Sequence, residues 1–402
     1  MRVVFVADGR SPIARGWIDD VLDLGHEVHL VSTFLCRPWP RLSSLTVIPV
    51  AFSGLRRGGS GRSGMGGVRG RARLRQWLGP LTVPLAGRHL RRLLAVRQPD
   101  LVHALRIPFE GMMAAWADPQ APLAVSTWGN DFSLHAASSP LMAWLTRRTV
   151  RAADGLHADC QRDLDRASHE GFAGARPSVV LPGNGGVAAP FLADDPIASL
   201  PERSSVRDLI IRLTREQPLV CNPRGLRAYV RSDTFFKCIP RVLAARPDVH
   251  FAAVGMADQP MAQGWSARLG IGGSLTLLGG LTPAEMAALL TRSQVMVSPS
   301  EHDGTPNSLL ESMACGAMPV AGDLASLREW IKPGENGLLI DPSDPQALAD
   351  AVLAALGDPG LRARAAARNR RLVEARATRG GVRQEIDRFY ARLVASRQGA
   401  RA

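Results

Sequence analysis

Eighteen residues from Pro299 to Gly316 hold the densest set of groups able to do chemistry. Two carboxylates, Asp303 and Glu311, have seven residues between them, including Gly304, Thr305, Pro306, Asn307, Ser308 and Leu309. The apolar run Val295 to Val297 predicts a strand, Ser298 to Gly304 the loop leaving its carboxyl end, and Pro306 to Cys315 a helix. Thr305 suits the N-cap and Pro306 the first helical position, with Gly316 as the C-terminal stop. A helix N-terminus beyond a parallel strand offers unpaired N–H groups and a partial positive charge, so it can hold a phosphate. Proline lacks one N–H, which leaves Asn307, Ser308 and Leu309 as the donors. The plain structural alternative is a loop followed by a core helix, with Leu309, Leu310, Met313 and Ala314 facing inward.

A second group of candidates follows the predicted strand Leu219 to Asn222. Arg224 and Arg231 could neutralise a departing diphosphate, with Arg227 as a substitute, because guanidinium can grip phosphate oxygens with two parallel bonds. Surface arginines on an exposed loop are the competing reading. Gly9, just past the first strand, would let the backbone approach a phosphate closely. Asp163-Leu164-Asp165 has the look of a metal-binding pair, but it falls in a polar helical stretch and reads better as a solvated helix face. No His and carboxylate cluster has the spacing of a transition-metal site.

The elements that must position these residues repeat a strand, helix, strand pattern. Arg2 to Ala7 predicts a strand, and the helix after it carries Ile13, Trp17, Val21 and Leu24 on one face and stops at Gly25. Further strands are predicted at Val28 to Ser32, Leu101 to Ala104, Leu123 to Thr127, Gly155 to Ala158 and Ser178 to Leu181. Crossovers of this kind give a parallel sheet, whose ligands gather at the carboxyl ends of the strands. After an irregular stretch near Ala193 to Ser205 the pattern restarts. Strands are expected at Leu219 to Asn222, within Pro247 to Gly255, at Ser274 to Gly279, Val295 to Ser298, Met318 to Ala321 and Gly337 to Ile340. Thr282, Pro283 and Glu285 predict a capping box. The fold class is therefore α/β, with two Rossmann-like parallel-sheet domains.

Length and composition fit that reading. The chain has 402 residues, 46% of them hydrophobic, enough for two cores. Its five cysteines, Cys36, Cys160, Cys221, Cys238 and Cys315, are scattered, which suggests a reduced intracellular setting. The first apolar run is too short for a signal peptide, and no apolar segment reaches the length of a membrane span. A cytoplasmic, soluble or peripheral protein is expected. Net charge is +13, and no acid occurs from Val28 to Pro99. That interval carries Arg37, Arg41, Arg56, Arg57, Arg62, Arg69, Arg71, Arg73, Arg75, Arg88, Arg91, Arg92 and Arg97 around a glycine-rich stretch, Gly58 to Gly70. An anionic membrane surface is the favoured partner of this basic region, over a merely solvated loop. Nucleic acid is disfavoured, because no zinc-finger or aromatic-and-basic signature accompanies the charge.

With Ser-Met-Ala-Cys-Gly following, Asp303 and Glu311 resemble the E-x7-E signature of retaining glycosyltransferases of family 4, and the likeness extends over nearly the whole chain. It implies the GT-B architecture, two Rossmann-like domains facing across a cleft: an acceptor-side domain over residues 1–190 and a nucleotide-sugar domain over 191–379. A C-terminal helix, about residues 380–402, would pack back on the first. The resemblance places Asp303 near the donor sugar, as an aspartate where glutamate is commoner. It makes Glu311 the acceptor of hydrogen bonds from the ribose hydroxyls. It maps the cationic leaving-group role onto Arg224 and Arg231, more widely spaced here than in the family pattern. Leu277-Leu278-Gly279-Gly280-Leu281 looks like the loop whose backbone, at Gly279 and Gly280, meets the base. Where relatives carry a histidine after a central strand, this chain has Ser126-Thr127-Trp128-Gly129-Asn130-Asp131. Asp131 is the candidate near the sugar or acceptor, against a loop cap. His103 is a second candidate, against a satisfied core histidine.

The expected reaction is sugar transfer from a nucleotide diphosphate sugar to a glycan or lipid-linked acceptor, without a metal or other cofactor. A sugar-nucleotide epimerase on the same architecture, or a non-catalytic arginine-rich binding protein, are the alternatives.

Overall fold

The computed structural model describes residues 1–37, 39–53, 75, 77–214 and 216–399. The chain divides into two units, Met1–Gly185 with Val382–Ala402, and Gly186–Gly381. The first break falls five residues before the expected one. Val187 already belongs to the second unit, because its N–H donates to the Ala377 carbonyl at 2.7 Å and it packs in that unit's core.

The first unit is built on a seven-stranded sheet: β1 (Arg2–Ala7), β2 (Glu27–Ser32), β3 (Ser44–Val47), β4 (Leu101–Ala104), β5 (Leu123–Thr127), β6 (Gly155–Ala158) and β7 (Ser178–Val180). Their spatial order is β3-β2-β1-β4-β5-β6-β7, all parallel. Residues Val3 to Ala7 are fully buried, as expected of a central parallel strand covered on both faces. The edge strand β3 lacks that apolar run and was not foreseen; each of its four residues is half-buried.

Helix Pro12–Asp23 starts at Ser11, whose hydroxyl accepts from the Ala14 N–H, and it buries Trp17, Ile18 and Val21 against the sheet. The same face meets the C-terminal helix Arg379–Gly399. That helix buries Val382, Ile386, Phe389, Tyr390 and Leu393 at helical spacing, and Arg383 bonds buried Asp20 at 3.0 Å. The last helix thus belongs to the first unit.

The second unit carries a six-stranded parallel sheet in the order β10-β9-β8-β11-β12-β13. Its strands are β8 (Leu219–Asn222), β9 (His250–Ala253), β10 (Leu275–Leu277), β11 (Val295–Ser298), β12 (Met318–Gly322) and β13 (Leu338–Ile340). Apolar clusters lie on either face of this sheet. The predicted capping box is present: the Thr282 hydroxyl accepts from the Glu285 N–H while the Glu285 carboxylate accepts from the Thr282 N–H.

Both sheets reverse their winding direction, between β1 and β4 and between β8 and β11. Such switch points open a crevice beyond the carboxyl ends of the strands, where open α/β sheets bind ligands.

Candidate functional site

The second unit's switch point brings Arg224, from the loop after β8, against the motif that leaves β11. Arg224 Nη2 donates to Asp303 Oδ2 at 2.6 Å and Nη1 to Ser308 Oγ at 3.1 Å. Both members of the ion pair are largely buried, with side chains 9% and 13% exposed. Arg224 Nε and Asn222 Nδ2 are also buried, and neither finds an acceptor among the described residues. Two unspent donors beside a helix start are what an oxyanion would satisfy.

Helix Asn307–Cys315 begins one residue later than the sequence suggested. Pro306 is the cap residue, with extended backbone at φ −67° and ψ 130°, and Asn307 is the first helical position. Thr305 does not cap; its hydroxyl accepts from Trp330 Nε1 at 3.0 Å, which ties the loop to the core. Ser326 Oγ holds the same loop through the Asp303 carbonyl, and Gly304 is buried within it. Leu309 is no phosphate donor, because its N–H is spent on the Pro306 carbonyl at 3.0 Å. The N–H groups of Asn307 and Ser308 remain as the helix's orphan donors. Gly316 ends the helix at φ 85°, a left-handed conformation that glycine adopts without a Cβ penalty.

Glu311 follows one turn after Ser308, on the same helical face. Its residue is half-buried, but its carboxyl is poorly solvated, and burial pushes it up to about 7 against the pull of Arg224. Such a carboxylate lacks hydrogen-bond donors of its own among the described residues.

The remaining second-unit candidates separate into two kinds. Gly279 and Gly280 face open space, so their backbone is accessible, although the Gly279 carbonyl already accepts from the Gly255 N–H at 3.1 Å. Arg231 is a brace, not a spare cation: it grips Asp233 with two nitrogens, at 2.9 and 3.1 Å, and Glu301 with the third, at 2.6 Å. Its backbone sits at φ 45°, where the chain turns into helix Ser232–Ala245. Arg227 is exposed and bonds only the Tyr229 hydroxyl among the described residues.

In the first unit the structure corrects three expectations. His103 is fully buried and bonded at both ring nitrogens, to the Tyr390 hydroxyl at 2.7 Å and Ser126 Oγ at 2.9 Å. Burial holds its pKa well below the ordinary value, so it is a neutral core residue. Asp131 is likewise inaccessible: its carboxylate accepts from Arg106 Nε at 2.9 Å and from the Ile107 and Trp128 N–H groups at 3.1 and 3.2 Å. It is the loop anchor. Gly9 lacks a side chain for packing reasons, since a Cβ there would lie 2.6 Å from Cys36 Sγ, and its N–H donates to Ser32 Oγ.

Asp163 is no solvated residue either. It is fully buried, and its carboxylate oxygen, Cys160 Sγ and an Asp159 oxygen lie within 4.8 Å of one another. Arg162 Nε donates to Asp163 at 2.8 Å, while burial and the neighbouring Asp163 push the Asp159 carboxyl well above its usual range. The Asp159 carboxyl therefore favours its protonated form.

Sequence reasoning missed Arg106, Glu110 and His135 in the first unit, and Asn222 in the second. Asn222 and Arg106 lie at or just past the carboxyl end of a strand, and Glu110 and His135 in the helical turns that follow β4 and β5. Of the basic interval, Arg56, Arg57, Arg62, Arg69, Arg71, Arg73 and the glycine-rich stretch lie outside the described residues.

Comparison with known proteins gives two domain models. Residues 11–183 match a glycosyl transferase 4-like domain, and residues 224–358 match glycosyl transferases group 1. A phosphatidyl-myo-inositol mannosyltransferase of Mycobacterium tuberculosis is 34% identical over 131 residues, 31% of this chain and 34% of the relative. A GDP-mannose-dependent monoacylated alpha-(1-6)-phosphatidylinositol monomannoside mannosyltransferase of Corynebacterium glutamicum is 29% identical over 185 residues, 44% of this chain and 47% of the relative. The chain thus spans between a third and a half of the length of these curated relatives. Among solved structures, sucrose-phosphate synthase from Thermosynechococcus elongatus superposes with a TM-score of 0.76 at 16% identity, covering 98% of this chain and 100% of that one. Anabaena HepE in complex with UDP and glucose gives 0.71 at 16% identity, covering 97% and 99%. At such identities the structural likeness speaks for the fold alone.

Proposed function

The chain belongs to the family 4 glycosyltransferases of the GT-B fold, and from that membership we propose that it moves a sugar from a nucleotide diphosphate sugar to a glycan or lipid-linked acceptor with retention of anomeric configuration. The observation that carries the reading is the grouping of Arg224, Asp303 and Ser308 at a helix start, with Glu311 one turn beyond. In this proposal the diphosphate lies at the N–H groups of Asn307 and Ser308 and takes the two unspent donors, Arg224 Nε and Asn222 Nδ2. Glu311 accepts from the ribose hydroxyls, and the base meets the backbone at Gly279 and Gly280.

Charge builds on the departing phosphate as the glycosidic bond breaks. Arg224 and the helix terminus are already oriented to meet it, so they stabilise the transition state more than the ground state. The phosphate oxygen takes the acceptor hydroxyl's proton on the same face, and that route needs no strong base. Asp303, held by Arg224, faces the sugar side. Because Arg224 and the helix terminus supply the countercharge, we propose that the reaction needs no metal. The relatives' names motivate a lipid-linked acceptor.

Glu311→Ala tests the reading. Binding of the donor nucleotide, read by calorimetry, should weaken at least tenfold while the circular dichroism spectrum is kept, and unchanged affinity sinks the ribose role. A donor panel analysed by mass spectrometry separates transfer from isomerisation: a sugar nucleotide isomerised without acceptor would establish an epimerase instead.

Peripheral membrane association is part of the proposal. Trp77, Leu81 and Leu85, spaced four apart, are 61%, 66% and 60% exposed, and exposed Arg88 and Arg92 follow along helix Val83–Arg97. Apolar side chains beside arginines suit an anionic lipid surface, at about 1 kcal/mol per basic residue. Cosedimentation with vesicles should rise with phosphatidylglycerol content and fall with salt; binding indifferent to both would remove the membrane from the scheme.

A further inference from the structure

Three arginines converge at the first unit's switch point. Arg10 follows β1, Arg106 follows β4, and Arg75 reaches the same place from outside the sheet. The Arg10 guanidinium carbon lies 3.6 Å from the centroid of the Phe34 ring, and that of Arg75 lies 4.9 Å from the same ring and 4.9 Å from the Phe109 ring. Arg106 Nη2 bonds His135 Nε2 at 2.8 Å, and Arg106 and Arg75 together help hold that imidazole neutral, with burial the larger cause.

The carboxylates nearby are largely committed. Asp8 grips Arg10 at 2.8 and 2.9 Å, and Asp131 holds Arg106. Glu110 is buried against the Thr33 hydroxyl at 2.7 Å, and burial raises its pKa. Arg75 has no carboxylate at ion-pair distance among the described residues, and its Nε is buried without an acceptor. A half-buried guanidinium beside two of like charge, with its Nε unsatisfied and no carboxylate at ion-pair distance, is unfavourable unless an anion completes the group.

Backbone strain marks the same place. Arg106 sits at φ 148° and Phe109 at φ 69°, both outside the regions ordinary residues favour. Such conformations persist where the surrounding structure enforces them, and they concentrate at ligand sites. With side chains 41% and 28% exposed, Arg10 and Arg106 leave the cluster open to solvent.

We propose that Arg10, Arg75 and Arg106 form a phosphate-binding site, and that it receives a phosphoryl group carried by the acceptor. The assignment to the acceptor rests on the glycosyl-transfer reading; phosphate binding does not. Phosphate suits the group better than a sugar hydroxyl because several guanidinium forks can share its oxygens. The phosphoryl group can belong to a soluble phosphomonoester or to a phospholipid headgroup.

The test uses the full chain, with inorganic phosphate and glycerol 3-phosphate as soluble probes and vesicles of phosphatidylglycerol in phosphatidylcholine as the lipid probe. Arg75→Gln should weaken phosphate binding at least tenfold by calorimetry, while Arg75→Lys keeps most of it and Arg224→Gln, at the donor site, leaves this component in place. If Arg75→Gln fails to fold, Arg10→Gln is read in the same way. Loss of glycerol 3-phosphate binding assigns the soluble source, and loss of vesicle binding that phosphate can compete assigns the headgroup. If the phosphate-binding component that survives Arg224→Gln keeps its wild-type affinity in a folded Arg75→Gln chain, the site is overturned. A fault in the transfer reading shows separately, as a wild-type chain that binds phosphate but consumes no donor.

Discussion

At the scale of single residues, Glu311 shows how a poorly solvated carboxyl costs stability. It titrates near 7 in the folded chain, against an ordinary value of 4.5, because burial outweighs the help from Arg224. Between those two values the folded state binds more protons than the unfolded one, so stability falls as pH rises from about 4.5 to 7 and stays lowered above it. The cost at pH 8 is about 3 kcal/mol. Glu311→Gln removes it. The variant should therefore gain thermal stability over the wild type as pH rises from 5 to 8, with little difference at the acidic end. Equal pH dependence of the two melting temperatures would show that the carboxyl is not poorly solvated. Saturating donor nucleotide should shrink the gap, since ribose hydroxyls favour the ionised form. The seven-residue spacing of Asp303 and Glu311 was legible because one helix start fixes both. The Arg224 to Asp303 bond was not, since no local pattern records a partner 79 positions away. Nor was the fate of Asp131 and His103: an acid or histidine at a strand end looks the same in sequence whether it faces solvent or is sealed by Arg106 or Tyr390.

Among the elements, strands with unbroken apolar runs were legible to within a residue or two, as at Arg2–Ala7 and Val295–Ser298, because central parallel strands are buried on both faces. Ser44–Val47 was not, because an edge strand needs no such run. The start of helix Asn307–Cys315 was misplaced by one residue because Thr305 has the chemistry of a cap but spends its hydroxyl on Trp330. The C-terminal helix depends on one polar junction inside an apolar face. Tyr390 Oη meets Trp17 Nε1 at 3.0 Å and His103 Nδ1 at 2.7 Å, all fully buried. Tyr390→Phe keeps the packing but leaves two buried partners unsatisfied, at a cost of roughly 2–4 kcal/mol. Urea unfolding followed by tryptophan fluorescence should show the first unit's transition moved to lower denaturant. An unmoved midpoint would mean that the apolar face and the Arg383 to Asp20 pair secure the helix without this junction.

For the whole molecule, the division of labour can be tested by cutting the chain. Every second-unit group assigned to the donor lies within Gly186–Gly381, and that segment has its own six-stranded sheet with an apolar cluster on each face. The segment holds its own ends together as well, through Val187 N–H to the Ala377 carbonyl and Arg379 N–H to the Val187 carbonyl. Expressed alone, residues 186–381 should fold cooperatively and bind the donor nucleotide, and Glu311→Ala should weaken that binding at least tenfold, as expected for the full chain. The first unit is not contiguous in sequence. Residues 1–185 alone expose the surface that Ile386, Phe389, Tyr390 and Leu393 cover, about 2 kcal/mol of burial for each large side chain, and leave Asp20 without Arg383. That fragment should be insoluble or partly unfolded, and a separately added peptide of residues 382–402 should restore its near-ultraviolet dichroism. A well-folded fragment 1–185 would mean that the last helix is an accessory rather than part of the first unit's core.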